Sequence, residues 1–134
     1  MSRLLQSIQH DIRAARDPGA LAVALTRAAI YQSRKGDSEA ARRAILEIRA
    51  LAVEGLHNDG IARANLAEGV LLFHVGSIDA ARDKLLRGLA LARAGGLNAV
   101  VSWCAAWLGQ IEMNLGRPDG LRAYALQVDR KSVV

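Results

Sequence analysis

The sequence predicts an all-α chain, an array of antiparallel helical hairpins with about seven helices. Three observations predict it. Gly36, Gly76 and Gly116 are evenly spaced, forty positions apart. Residues 36–55 laid over 76–95 give nine identities in twenty positions, where unrelated segments share roughly one or two, and a fixed period of this size marks a repeat array. Between the glycines, apolar residues recur at spacings of three and four, the helical period. Strand-like signals are confined to Val100-Val101 and Val133-Val134.

The elements follow in order within one domain, residues 1–134. Residues 2–16 place Leu4, Leu5, Ile8 and Ile12 on one helical face. One full period before Ile45 and Ile48 stand Leu5 and Ile8, so this helix reads as the second half of an earlier repeat that caps the array. Asp17-Pro18 is a start signal, an N-cap followed by a proline that opens a helix. Repeat 1 (19–55) holds a helix over 19–35, Gly36 as C-cap, Asp37 as N-cap and a helix over 38–54. Repeat 2 (58–95) holds a helix over 58–75 carrying Ile61, Ala64, Leu71, Leu72 and Val75, then Gly76. Ser77 or Asp79 starts its second helix, which runs to Ala94 before Gly95-Gly96. Repeat 3 (97–131) holds a helix over 98–115, then Gly116, with Pro118 at a first helical position. This third copy is weaker, because Leu121 stands where the others have Ala41 and Ala81. Helices of this length extend about 25 Å.

Gly69 and Gly109 fall inside first helices, and Ala29 fills the same position in repeat 1. Glycine inside a helix costs roughly 1 kcal/mol relative to alanine. Its use at the same place in two successive repeats predicts close helix approach there.

Composition narrows the function. A chain that is 51% hydrophobic and 23% charged has globular composition, which excludes disorder. The single cysteine forbids an internal disulfide and a cysteine-cluster metal site. No apolar run approaches the roughly 18 residues of a membrane span. The opening MSRLLQSIQHDIRAARD has spaced apolar residues and carries Asp11 and Asp17, unlike a leader peptide. A cytoplasmic protein without membrane contact is expected. The net charge of +5, with fifteen arginines among eighteen basic residues, raises the question of an acidic partner.

Residues that carry chemistry are sparse. His10, His57 and His74 lie in separate segments, with no second histidine or cysteine at ligand spacing. Cys104 sits in an apolar helix, where an inert buried thiol is expected. Glu68 and Glu112 read as solvated carboxylates or partners of arginine. Phosphate-binding glycine loops and the nucleophile elbow are missing. The expectation is a non-enzyme with no metal and no cofactor.

Helix, glycine and helix, with Leu-Gly in the first helix and alanine early in the second, resembles the tetratricopeptide repeat. AWLGQIEMNLGRPDGLRAY shows it best, and GDSEAARRAIL and GSIDAARDKLL are similar to the family's turn and second helix. The resemblance covers residues 19–131. It departs from the family in its longer period, since the commonest unit there has about 34 residues. It also lacks the proline that often ends a unit. The longer, forty-residue variety is similar to arrays in kinesin light chains and in bacterial regulatory proteins. The resemblance implies a right-handed superhelix whose first helices line a concave groove that binds a peptide or partner protein.

The family's groove pattern falls on Val23, Thr26, Ile30, Ser33 and Arg34 in repeat 1. In repeat 2 it falls on Arg63, Leu66, Val70, Phe73 and His74. In repeat 3 it falls on Trp103, Ala106, Trp107, Gln110, Met113 and Asn114. This surface is more apolar than a carboxylate clamp and suits an amphipathic helix or an apolar peptide. Trp103 and Trp107 share a face and would form a hot-spot pair if exposed. The same stripes also read as core, or as a surface for self-association in a homodimer. The expected role is an interaction scaffold in bacterial regulation or signalling. One alternative is the N-terminal sensor or dimerisation part of a larger regulator. A second is nucleic-acid binding through Arg42, Arg43, Arg49, Arg82, Lys84, Arg87 and Arg93 on the second helices. Glu39, Glu47, Glu54, Asp79 and Asp83 are interspersed among these cations and argue against that reading.

Overall fold

A computed structural model describes residues 2–128. Its described residues form seven α-helices and no strand: α1 (Arg3–Ala14), α2 (Pro18–Lys35), α3 (Ser38–Leu51), α4 (Asn58–His74), α5 (Ile78–Gly95), α6 (Asn98–Asn114) and α7 (Pro118–Ala125). Residues 129–131 of the third repeat and the Val133-Val134 pair lie outside the described residues. The all-α class stands as the periodicity predicts.

The turns follow from local chemistry. Asp17 and Asp37 cap α2 and α3, accepting hydrogen bonds from the Ala20 and Ala40 amides at 2.8 and 3.0 Å. Gly36, Gly76 and Gly116 adopt the left-handed conformation, with φ of 85°, 87° and 69°, which costs a glycine nothing. After each of them the chain turns back with one bond, from the amide of Asp37, Ser77 or Arg117 to the carbonyl of Gln32, Leu72 or Glu112. Those three bonds measure 2.9, 2.9 and 2.8 Å and recur with the period of the glycines.

The links between hairpins are less uniform. At the α5–α6 link Gly96 takes the left-handed turn, with φ 69°. One period earlier stands Leu56, whose side chain disfavours that conformation. There the chain widens into a π-type turn over Ala52–Leu56, and His57 takes φ 50° and ψ −126°. The bond from the His57 amide to the Ala52 carbonyl, 2.9 Å, matches the one from Leu97 to Ala92. His57 therefore carries backbone strain that a glycine would not. His57→Gly is expected to stabilise the fold by about 1 kcal/mol, read as a higher Tm in thermal unfolding. A lower Tm would contradict the assignment of strain to this residue.

Packing connects neighbours in sequence. α2 packs on α3 and α4, and α4 packs on α5 and α6, while α3 and α5 also rest on the first helix of the following hairpin. α1 packs on α2, as α3 packs on α4. The core forms two clusters. One joins α2, α3 and α4 through Leu25, Ala29, Ala41, Ile45, Ile48 and Leu71. The other joins α2, α4, α5 and α6 through Ile30, Leu66, Val70, Leu85, Leu108 and Ile111. α7 contributes no buried residue.

Candidate functional site

α2, α4 and α6 present one face that carries the expected groove rows. Its interior positions are already filled. Ile30, Leu66 and Val70 are 7, 1 and 0% exposed, so they belong to the core, and only edges of Ile30 and Leu66 reach the cavities beside Trp103. Thr26 and Ser33 are also buried, and each hydroxyl donates to the backbone carbonyl one turn earlier, Ala22 at 2.7 Å and Ala29 at 2.8 Å. The physical reason is packing between helices. Ile30, Leu66 and Val70 pack into one cluster with Leu85 and Leu89 of α5 and Leu108 and Ile111 of α6.

What stays accessible lies at the two sides of this face. On one side Phe73 and Trp107 are half-buried, and His74, Gln110, Met113 and Asn114 are exposed. The Phe73, His74 and Trp107 rings meet edge to face, with centroids 5.3 to 5.6 Å apart, a favourable aromatic arrangement. Nδ1 of His74 lies 2.9 Å from the Val70 carbonyl, so the Nδ1–H tautomer donates there and Nε2 faces away. Gln110 donates to Asn114 at 3.2 Å. Met113 is 59% exposed beside this cluster.

On the other side a cavity of about 480 Å³ opens between α1, α2 and α6. Trp103 lines it, and also lines a small cavity of about 70 Å³ shared with Val23, Arg63 and Leu66. Trp103 is thus a common wall, half-buried against the α4–α6 core. Arg34 stands exposed at the larger cavity. Arg63 is partly buried, and desolvation lowers its pKa from the usual arginine range while the charge of Asp59 opposes that shift. The two tryptophans therefore do not act as one exposed pair. Trp103 serves the cavity, and Trp107 serves the aromatic cluster.

The carboxylates in the first helices are structural partners of cations. Glu68 on α4 accepts from Arg49 of α3 at 2.8 Å and faces Lys84 of α5 at 3.1 Å, joining three helices. Glu112 is buried and faces Arg82 and Arg117 at 3.5 and 3.9 Å. On the second helices Arg43 pairs with Glu39 and Arg87 with Asp83. Five of the seven cations assigned to the second-helix face thus have an acidic partner, which removes most of its charge excess. Cys104 is fully buried, and burial pushes its thiol up to about 12. It stands one period after Ala64 and two after Ala24, both buried as well, so the thiol occupies a packing position. Among the described residues no group of histidines, cysteines and carboxylates could hold a metal ion, and no helix is long and apolar enough to cross a membrane.

The α1–α2 cavity is the feature that periodicity alone did not reveal. Its walls come from the consecutive helices α1 and α2 and from the distant α6. Ile30, Arg34 and Trp103 were named as groove residues, and Leu4 and Ile8 as one face of α1, but nothing in the spacing joined the two sets.

This arrangement defines a class, an all-α stack of helical hairpins with an aromatic side and a cationic cavity on its first-helix face. Comparison of the chain with known protein families, curated proteins and solved structures finds no match.

Proposed function

We propose that the chain is a tetratricopeptide-like interaction module, a cytoplasmic scaffold of the bacterial regulatory kind that takes a peptide or helix of a partner protein along its first-helix face. Three turn bonds recurring with the period of the glycines support the repeat reading. The observation that carries the binding role is the aromatic cluster of Phe73, His74 and Trp107, which stands beside exposed Met113, Gln110 and Asn114. Aromatic rings and methionine with amide groups at the edge are what a peptide-binding surface uses, the first for anchoring and the second for orientation. The same module would serve as the sensor or dimerisation part of a larger regulator. The nucleic-acid reading loses its main support, because most second-helix cations face a carboxylate.

Selection from a displayed library of random peptides tests this reading. His74 and Met113 are exposed, so His74→Asp/Met113→Asp leaves the core in place. The expected result is a selected peptide with apolar anchors that binds the native chain and loses about tenfold or more in affinity for the double variant. Arg42→Glu/Arg93→Glu should leave it unaffected. Selected peptides that bind all three proteins equally would contradict the assignment of this surface.

A further inference from the structure

The cavity between α1, α2 and α6 has a chemistry of its own. Its apolar lining comes from Leu4 and Ile8 of α1, Ile30 of α2 and Trp103 of α6. Its volume, about 480 Å³, falls in the range of small-molecule sites, on the order of 300–1,000 Å³. Three cations, Arg27, Arg34 and Lys35, line it, and no carboxylate does. Arg27 is neutralised by Asp11 at 3.1 Å. Arg34 and Lys35 face no carboxylate within ion-pair distance among the described residues. Lys35 instead lies over the Tyr31 ring, 5.7 Å from its centroid. Tyr31 and Ser2 join their hydroxyls at 2.7 Å, and this bond holds the start of α1 against α2 at the cavity.

An apolar wall beside two cations that face no carboxylate is complementary to an amphiphilic anion. We infer that this cavity binds a small amphiphilic anion, an organic acid with a single negative group on an aliphatic or aromatic body. The apolar body lies against Leu4, Ile8, Ile30 and Trp103, and the acid group meets Arg34 and Lys35. A neutral ligand would lack the attraction of these two cations, and a cationic one would be repelled. The inference goes beyond the partner-binding reading and does not rest on it, because the Phe73–His74–Trp107 cluster takes no part.

The test is calorimetric titration of the full chain with decanoate, and in parallel with decan-1-ol and decyltrimethylammonium. One equivalent of decanoate is expected to bind, more weakly as salt rises. The alcohol should bind about tenfold more weakly or worse, and the cation not at all. Arg34→Glu/Lys35→Glu, with both side chains exposed in the native chain, should abolish decanoate binding and leave the helical circular dichroism unchanged, with a lower Tm because both stand in the last turn of α2. Leu4→Trp, at a cavity-lining position 45% exposed, should block the chamber and also abolish binding. Equal binding of the three probes, or decanoate binding that survives the charge reversal, would overturn the inference, as would no saturable binding of decanoate to the native chain. A peptide selected on the aromatic cluster should bind the charge-reversed protein normally, which separates failure here from failure of the partner reading.

Discussion

Gly69→Val is expected to destabilise the protein by about 3 kcal/mol, the upper part of the range for overpacking a tight core. A Cβ at position 69 would stand 2.6 Å from Cγ of Leu85 and 3.3 Å from the Ala81 carbonyl oxygen. Leu85 is fully buried and Ala81 has no exposed surface, so neither has room to retreat. Gly69→Ala should still lose stability, because the clash exceeds the roughly 1 kcal/mol that alanine gains from helix propensity. Gly109 provides the contrast. A Cβ there meets the tip of Leu121 at 3.1 Å and, at ordinary contact distance, Cβ of Tyr124 at 3.9 Å, and Leu121 is half-buried on a helix with no buried residue. Gly109→Ala should therefore be neutral or slightly stabilising. Urea denaturation of the three variants checks this. Equal losses at 69 and 109 would mean that helix approach is not what the glycines serve.

Trp103→Ala is expected to cost about 2–3 kcal/mol, below the range for fully buried aromatics because the ring is only half-buried. The ring packs against the cluster that holds Leu66, Val100 and Leu108, and it is wall to both cavities. Its loss should merge them into one open trough. Stability measured by urea denaturation should fall with no loss of helical content. Trp107→Ala should cost less, since that ring leans on Phe73 and His74, and His74 is exposed. Equal costs would place the two rings in equivalent surroundings and contradict the division of the face into two sides.

Much of the fold was legible because the deciding signals are local. Asp17-Pro18, Asp37 and the evenly spaced glycines each set a turn through the backbone of a few residues. The Asp83–Arg87 ion pair, at 3.2 Å, followed from i,i+4 spacing alone. The α3–α4 link was less legible. Gly55 matches Gly95 in the alignment, but the turn at α5–α6 uses Gly96, and the chain with Leu56 in that place bends at His57 instead. An arginine partner for Glu68 was legible, but which residues Arg82 and Glu68 meet was not. Arg82 bypasses nearby Asp79 for Glu112, on the next first helix, and Glu68 takes partners from the helices on either side of it.

The candidate site was legible as helix faces but not as surfaces. The family's groove pattern puts Ile30 in one row, Leu66, Val70 and Phe73 in a second and Trp103 in a third. Whether such a row is open depends on how closely successive first helices approach. That distance depends on packing between residues far apart in sequence, such as Ile30 with Leu66 and Val70 with Leu108, in one shared cluster. The cavity was hidden for the same reason, since α1 meets Trp103 only across the packed array.

The most direct test of this account is the fluorescence of Trp103 alone, in the Trp107→Phe variant. A half-buried ring walling two cavities should emit to the blue of free tryptophan, be quenched by acrylamide more slowly than an exposed indole, and shift on addition of decanoate. Emission and quenching like those of free tryptophan, with no response to decanoate, would place Trp103 in solvent and contradict the account at its centre.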